Sequence, residues 1–239
     1  MIIGDILILK RPIPKGEAKK FLGNRIKTVC WLKGIKGIER QPEIEVIAGN
    51  GTETVHRETG CLFAIDIAQF MWARGNAGER QRLARLVQPG ETVIDMFAGI
   101  GYWSIPMAKS CPECNIIAID INSKAIEYLR KNCTLNRIEN IRAFHGDCRS
   151  FSERFKGCAD RVILGWLFGP EKFLEHAVKM LKNRGILHLH FLDRYLNRSV
   201  IVELIEKTGC RPNIIYEGKV KKYAPRVLHK VMDIRIDKD

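Results

Sequence analysis

The hydrophobic positions divide the chain into two regimes. Up to about residue 70 the apolar runs are short and rich in β-branched residues: Ile2–Leu9, Thr28–Leu32, Glu43–Ala48 and Cys61–Ile65. Turn signals separate them, among them Lys33-Gly34, Gly37 and Gly49-Asn50-Gly51, and Gly16–Leu22 carries a short helical pattern. This region predicts a small α+β lobe whose boundary falls between residues 66 and 80. Beyond it, apolar runs alternate with helical periodicities. Ala77–Leu86 predicts a helix with Glu79, Arg80, Arg82 and Arg85 on its polar faces, and Pro89-Gly90 ends it. Buried strands are expected at Glu91–Met96, Asn115–Ile121, Ile141–His145, Arg161–Leu167 and Gly185–Phe191. Helices are expected at Gly101–Lys109, Ser123–Asn136, Glu171–Leu181 and Arg198–Gly209, and closing strands at Arg211–Tyr216 and Val227–Asp237. In Ser123–Asn136 the residues Ile126, Leu129 and Cys133 share one face. Alternation of this kind implies a mainly parallel α/β sheet with helices on both faces. The expected division is residues 1–72 as a small N-terminal α+β domain and residues 73–239 as a Rossmann-like domain.

Composition narrows the picture. With 239 residues, 46% of them hydrophobic, the chain can build a sizeable core. Forty Lys and Arg against 27 acidic residues give a net charge of +13, which points to a polyanionic partner, nucleic acid before a membrane surface. No apolar run reaches the roughly 20 residues of a membrane span. The opening MIIGDILILK lacks a basic region before its apolar run and carries Asp5 within it, so it reads as a strand and not as a signal peptide. The eight cysteines are then expected as reduced thiols in a cytoplasmic protein. Cys111-Pro-Glu-Cys114 is a lone CxxC after a predicted helix, with no second pair at zinc spacing. It reads as structural, and no metal is expected.

The candidate chemistry centres on Val93-Ile94-Asp95-Met96-Phe97-Ala98-Gly99-Ile100-Gly101. An apolar strand ends in an acid and passes through a Gly-x-Gly turn into a helix. Glycines there permit positive φ and close approach of a ligand to the backbone. Ser104 stands where a dinucleotide fingerprint has its third glycine, and no Gly-Lys-Ser/Thr follows, so neither that motif nor a P-loop is present. One strand later Ile116–Ile119 ends in Asp120, 19 residues beyond Gly101, close to the interval of roughly 20 at which an acid accepts from ribose hydroxyls. After the third strand, Asp147 is placed to accept from an adenine amino group and the Cys148 N–H to donate to its ring. Three acidic strand ends in register predict one crevice.

This set resembles the class I S-adenosylmethionine-dependent transferases. Asp95-Met-Phe-Ala-Gly-Ile-Gly is similar to the archaeal and eukaryotic group that modifies tRNA position 37, the guanine-37 N1-methyltransferases and the wybutosine-synthesis enzymes. Thr52–Gly60 (TETVHRETG) and Gly75–Arg80 (GNAGER) are like the group's two upstream motifs. The resemblance covers roughly residues 50–195. It implies a Rossmann-like class I methyltransferase sheet, S-adenosylmethionine as group donor, and tRNA as partner. It also implies cofactor contacts from Ala73, Arg80, Asp95, Phe97, Gly99, Gly101, Asp120, Asp147 and Cys148, with Arg80 meeting the methionine carboxylate. Glu79 matches a position proposed as general base in the methyltransferases, and Arg57 is placed to hold a phosphate or the substrate base.

Members of the group differ at the end of the fourth strand. Base-N-methylating members carry Asn-Pro-Pro or similar there, whereas this chain reads Leu164-Gly165-Trp166-Leu167-Phe168-Gly169-Pro170. Gly165-Trp166 is similar to the Gly-aromatic variant of the archaeal wybutosine-synthesis aminocarboxypropyltransferases, which move the 3-amino-3-carboxypropyl group onto a tricyclic guanosine derivative, 4-demethylwyosine, in the anticodon loop of phenylalanine tRNA. The chain is also short, and it is expected to lack the extra N-terminal domain of the methyltransferases, as those transferases do. The resemblance therefore implies a monomeric aminocarboxypropyltransferase with Trp166, Arg57 and Glu79 in the active site. A guanine-37 N1-methyltransferase with a degenerate motif, or an inert RNA-binding relative, are the alternatives. His145, His188 and His190 alternate with apolar residues and read as sheet residues. Lys219, Lys221, Lys222 and Arg226 with Tyr223 form either an RNA-tracking patch or a solvated hairpin, and Trp31, Lys33 and Lys36 are a weaker patch of the same kind.

Overall fold

The computed structural model describes residues 1–37 and 41–238. The chain opens with β1 (Ile2–Ile3), β2 (Ile6–Leu9), α1 (Lys15–Lys19), β3 (Thr28–Lys36) and β4 (Gln41–Gly49), whose strands form a four-stranded sheet in that order. The single strand expected over Ile2–Leu9 is broken. Gly4 adopts φ +53°, and the turn there folds β1 back antiparallel on β2. A separate hairpin follows, β5 (Glu53–Glu58) and β6 (Cys61–Asp66), turning through Thr59 and Gly60, both at positive φ.

The remaining elements are α2 (Ala77–Leu86), β7 (Thr92–Asp95), α3 (Ser104–Ser110), β8 (Asn115–Asp120), α4 (Ser123–Asn136), β9 (Ile141–His145), β10 (Ala159–Leu164), α5 (Leu174–Met180), β11 (Leu181–Leu192), α6 (Arg198–Glu206), β12 (Cys210–Ala224) and β13 (Val227–Lys238). They build a seven-stranded sheet in the order β12-β13-β11-β10-β7-β8-β9. The five strands from β11 to β9 run parallel, and β13 is antiparallel to both of its neighbours. Ile94, Ile117, Val162 and Leu187 are at most 1% exposed, as strands covered on both faces require. Each such side chain contributes about 1.5–3 kcal/mol by leaving water.

Differences from the pattern reading have local causes. β10 stops at Leu164, opposite Leu189 of β11, so residues 165–169 form a loop and not strand. The expected helix from Glu171 is a 3-10 turn over Pro170–Phe173 followed by α5, and it ends at Met180 because Leu181 already pairs with Ala159. β12 runs on to Ala224, well past Tyr216, because β13 stays paired with it to Val227, through three register shifts and including Lys219 with Lys230.

The hairpin is fastened to the sheet domain by α4. Asn132 is fully buried; its Oδ1 accepts from Ala64 N at 2.7 Å and its Nδ2 donates to Ile100 O at 2.9 Å. Asn136, one turn on, accepts from Leu62 N at 2.9 Å and donates to Leu62 O at 2.6 Å. Two carboxamides on one helix face thus satisfy the free edge of β6 as a neighbouring strand would. The buried pair CxxC has an equally structural setting: Asn140 Nδ2 reaches the carbonyls of Cys111 and Cys114 at 3.1 and 3.0 Å.

Candidate active site

The turn after β7 is shaped by its own carboxylates. Asp95 is wholly buried. Ser104 Oγ donates to its Oδ2 at 2.7 Å and Phe97 N to its Oδ1 at 3.3 Å. Burial pushes its carboxyl up to about 7, against the two hydrogen bonds that lower it. Asp95 pairs with Ala118, whereas Asp120 pairs with His145, so the three strand ends are not level. The geometry makes Asp95 a residue that braces the turn from inside, not a lining of the crevice. Asp120 is partly exposed and holds the turn from the other side: its Oδ2 accepts from Gly99 N at 2.7 Å and its Oδ1 from Asn122 N at 2.9 Å. Gly99 lies at φ +55°, and a Cβ there would sit 2.6 Å from the Tyr102 ring, so the turn accepts only glycine.

Asp147 stands at the start of a 3-10 turn over Cys148–Phe151 and is gripped by Arg149, whose backbone N, Nε and Nη2 all donate to it. Those hydrogen bonds hold its carboxyl below the usual carboxylate range. Cys148 is buried beneath, and burial pushes its thiol up to about 12, so it is no nucleophile.

An aromatic row borders this crevice. Phe97 stacks on Trp166 with centroids 5.6 Å apart at 21°, and Phe173 meets Phe97 edge-on at 4.9 Å. Phe168 meets Trp166, and Tyr223 on β12 meets Phe168, both edge-on at about 6 Å. The indole N–H of Trp166 is spent on Phe168 O at 2.6 Å. Gly165 is set by packing: a Cβ there would lie 3.0 Å from Trp103 Nε1. Phe168 and Phe173 were not legible as site residues, and Tyr223, read from sequence only as part of a C-terminal RNA-tracking patch or solvated hairpin, joins this row because β12 brings it beside Phe168.

The upstream motifs form a second wall with a buried charge network behind it. Arg80 is 1% exposed; its Nε donates to Glu58 at 2.5 Å, its Nη2 to Ala73 O at 3.1 Å, and its guanidinium lies over Trp72. As placed, it clamps the motifs together and offers no exposed face to a methionine carboxylate. Glu79 is also buried, with both oxygens accepting from Arg82 at 2.7 and 2.8 Å. Arg82 forks onward to Asp233 at 2.5 and 3.0 Å. His188 Nδ1 donates to Asp233 at 2.7 Å, and Arg161 faces its Nε2 at 3.3 Å. Burial would raise the Asp233 carboxyl, but hydrogen bonds from His188 and Arg82 outweigh it and hold it well below the usual range. His190 is fully buried beside this network, its Nδ1 3.0 Å from His229 Nε2 and its Nε2 3.8 Å from Glu79 Oε1. Burial first, then the neighbouring histidines, holds it neutral. His145 is exposed and bonds to Ile121 O at 3.1 Å. Arg57 is exposed on β5, on a cleft it shares with Arg74 and away from the three strand ends.

The donor set suits an adenosine: an oriented, partly exposed carboxylate beside a glycine turn, a second one held at the next strand end, and an aromatic border. No group of His, Cys, Asp and Glu among the described residues could hold a metal ion. No helix of the described residues is long and apolar enough to cross a membrane.

Comparison with known proteins gives the family. Residues 54–212 match the model of the TRM5/TYW2 methyltransferase domain. The tRNA(Phe) (4-demethylwyosine(37)-C(7)) aminocarboxypropyltransferase of Methanocaldococcus jannaschii is 37% identical over 244 residues, spanning 99% of this chain and 97% of that protein. The tRNA (guanine(37)-N(1))-methyltransferase Trm5b of Pyrococcus abyssi is 36% identical over 252 residues, spanning 98% of this chain and 74% of that one. Among solved structures, M. jannaschii TYW2 in complex with AdoMet superposes with a TM-score of 0.82 at 33% identity, covering 99% of this chain and 98% of that one. The complex of aTrm5 and tRNALeu gives 0.85 at 31%, covering 99% and 71%. Backbone shape therefore does not separate the two activities.

Proposed function

We propose that this chain, which belongs to the TRM5/TYW2 methyltransferase family, transfers the 3-amino-3-carboxypropyl group of S-adenosylmethionine to 4-demethylwyosine at position 37 of phenylalanine tRNA. The observation that carries the reading is the loop after β10. Methylation at a ring nitrogen requires polar groups that hold a base edge, because a buried edge left unpaired costs about 1–3 kcal/mol. Leu164–Leu167 offers no polar side chain except the Trp166 indole, and its N–H is already spent on Phe168. What the loop does offer is an apolar aromatic wall, the Trp166 ring backed by Phe97 and met edge-on by Phe168, which suits a bulky tricyclic acceptor.

S-adenosylmethionine, when bound, supplies the electrophile, its sulfonium activating the carbon of the aminocarboxypropyl group so that methylthioadenosine departs. The protein's part is to position the two reactants and exclude water. Asp120 would hold the ribose, Asp147 and the Cys148 N–H the adenine, and the turn of Phe97, Gly99 and Gly101 the intervening atoms. Asp95 and Arg80 support these from within, and Ala73 lines the entrance. Trp166 is the candidate for stacking on the acceptor; Glu79, the base implied by the resemblance, is buried with both oxygens accepting from Arg82 and would take the acceptor's proton only by giving up one of those hydrogen bonds. A monomer in the cytoplasm, divided at residues 72 and 73 with the β5–β6 hairpin as the joint, completes the proposal.

The test uses cofactor labelled separately in its carboxyl and methyl carbons, with tRNA from a strain blocked in wybutosine synthesis. Carboxyl label entering tRNA, with methylthioadenosine as by-product, is expected. Methyl label in tRNA, with S-adenosylhomocysteine, would replace this reading with guanine-37 methylation, the activity named for the Pyrococcus abyssi relative.

A further inference from the structure

A cleft of about 1070 Å³ opens between the N-terminal sheet and β5, apart from the three acidic strand ends. Its two walls are pinned to each other. Gly4 N donates to His56 Nδ1 at 3.2 Å, and Asp5 N donates to Thr54 Oγ1 at 3.2 Å, so the β1–β2 turn is fixed against β5. The cleft is held open by these bonds and does not need a ligand to form.

Its charges are unbalanced in one direction. The two carboxylates that line it are committed inside the protein. Asp5 accepts from Thr54 Oγ1 at 2.7 Å and lies 3.5 Å from Lys27 Nζ. Glu58 accepts from Arg80 Nε at 2.5 Å and from Trp72 Nε1 at 3.3 Å. The three arginines that line it, Arg25, Arg57 and Arg74, are exposed, and their guanidiniums form no hydrogen bond or ion pair among the described residues. The charge of Arg74 reaches Met1 at the cleft wall: burial first, then Arg74 and Lys10, lower the pKa of the N-terminal amine.

We infer that this cleft is a phosphodiester-binding site, in which Arg25 and Arg74 together with Arg57 grip the backbone of the RNA substrate outside the catalytic crevice. Guanidinium forks match phosphate oxygens in pairs. Open walls and solvated arginines fit a strand that passes through, since a cleft this large exceeds what one free phosphate would fill. Arg25 lies before residue 54, outside the matched family domain, while Arg57 and Arg74 lie within it. The N-terminal sheet therefore contributes directly to substrate binding. The inference rests on the proposed tRNA substrate.

The experiment measures tRNA affinity against salt for the wild type, R25A, R74A, the double variant R25A/R74A and the charge-keeping R25K/R74K. Neutralising a phosphate contributes a slope of about 0.7–0.9 in log K against log salt. The double variant is expected to lose about 1.5 of that slope, each single variant about half as much, and R25K/R74K little. S-adenosylmethionine affinity and turnover at saturating tRNA are expected to be unchanged, with the loss confined to the KM for tRNA. Thermal melts check that the exposed substitutions leave the fold intact. Inorganic phosphate at constant ionic strength is expected not to displace tRNA; displacement that depends on Arg25 and Arg74 would make this a free-phosphate site and overturn the inference. A wild-type slope retained in the double variant would overturn the inference alone. A wild type that binds no tRNA would overturn the proposed function with it.

Discussion

Replacing Arg82 with methionine tests the buried network directly. Arg82 makes four hydrogen bonds, two to Glu79 and two to Asp233. Both carboxylates are buried, at 6% and 3% exposure. Methionine keeps most of the stem but leaves two acids facing one another with one cation fewer. Asp233 retains His188, and Glu79 retains only His190 Nε2 at 3.8 Å. Breaking a buried pair from one side costs about 3–5 kcal/mol. Because 21% of the Arg82 side chain reaches solvent, the lower end, about 3 kcal/mol, is expected. At about 2–4 °C per kcal/mol for a chain of this size, Tm falls by roughly 10 °C. Urea titrations at neutral pH give the free energy. The wild type also has a signature in pH. Asp233, held below its unfolded value, contributes stability that is complete above about pH 4 and is lost as pH falls through the folded value. R82M should lose less over the same acid range, since part of that contribution is already gone. Adding D233N to R82M should restore more than about 1 kcal/mol, because the pair is coupled. A loss under about 1 kcal/mol in R82M would refute the reasoning, as it would place Arg82 among ordinary surface ion pairs.

Asp120→Ala should weaken S-adenosylmethionine binding by roughly 1.5–3 kcal/mol, the worth of hydrogen bonds to a charged acceptor; unchanged affinity by calorimetry would remove Asp120 from the site. Asp95 is raised by folding, so its contribution is full below about pH 4 and is lost as pH rises toward 7. Asp95→Asn should flatten that slope in thermal melts, and an unaltered slope would mean the carboxyl ionises freely in the fold. Trp166→Ala should lower transfer at limiting tRNA by removing a stacking surface and the Phe97 contact, aromatic pairs being worth about 0.5–1.5 kcal/mol. Trp166→Phe should recover most of it, and equal defects in the two variants would point to the indole N–H instead.

Several elements were legible from sequence because their causes are local. α4 has the expected bounds, Ser123–Asn136: Asn122 caps it by accepting from Lys124 N and Ala125 N, and Ile126 and Leu129 face the core. β9 likewise matches Ile141–His145. The mainly parallel character of the sheet, the glycine turn after Asp95 and the positions of the acids at 120 and 147 follow from periodicity and spacing, which act over a few residues; the strand order does not. What needed the tertiary structure were pairings between distant positions. Lys219–Ala224 has no apolar alternation of its own and is a strand because β13 lies beside it. Asn132 and Asn136 look like ordinary helix residues until β6 presents an open edge to them. Arg80 and Glu79 have the spacing of site residues, yet burial turned one into a clamp on Glu58 and joined the other to Asp233 through Arg82, 151 positions away. Hydrogen-bonding capacity is written in the residue type. Which partner satisfies it depends on which surfaces are buried together, because only there does an unpaired group cost enough to dictate the choice.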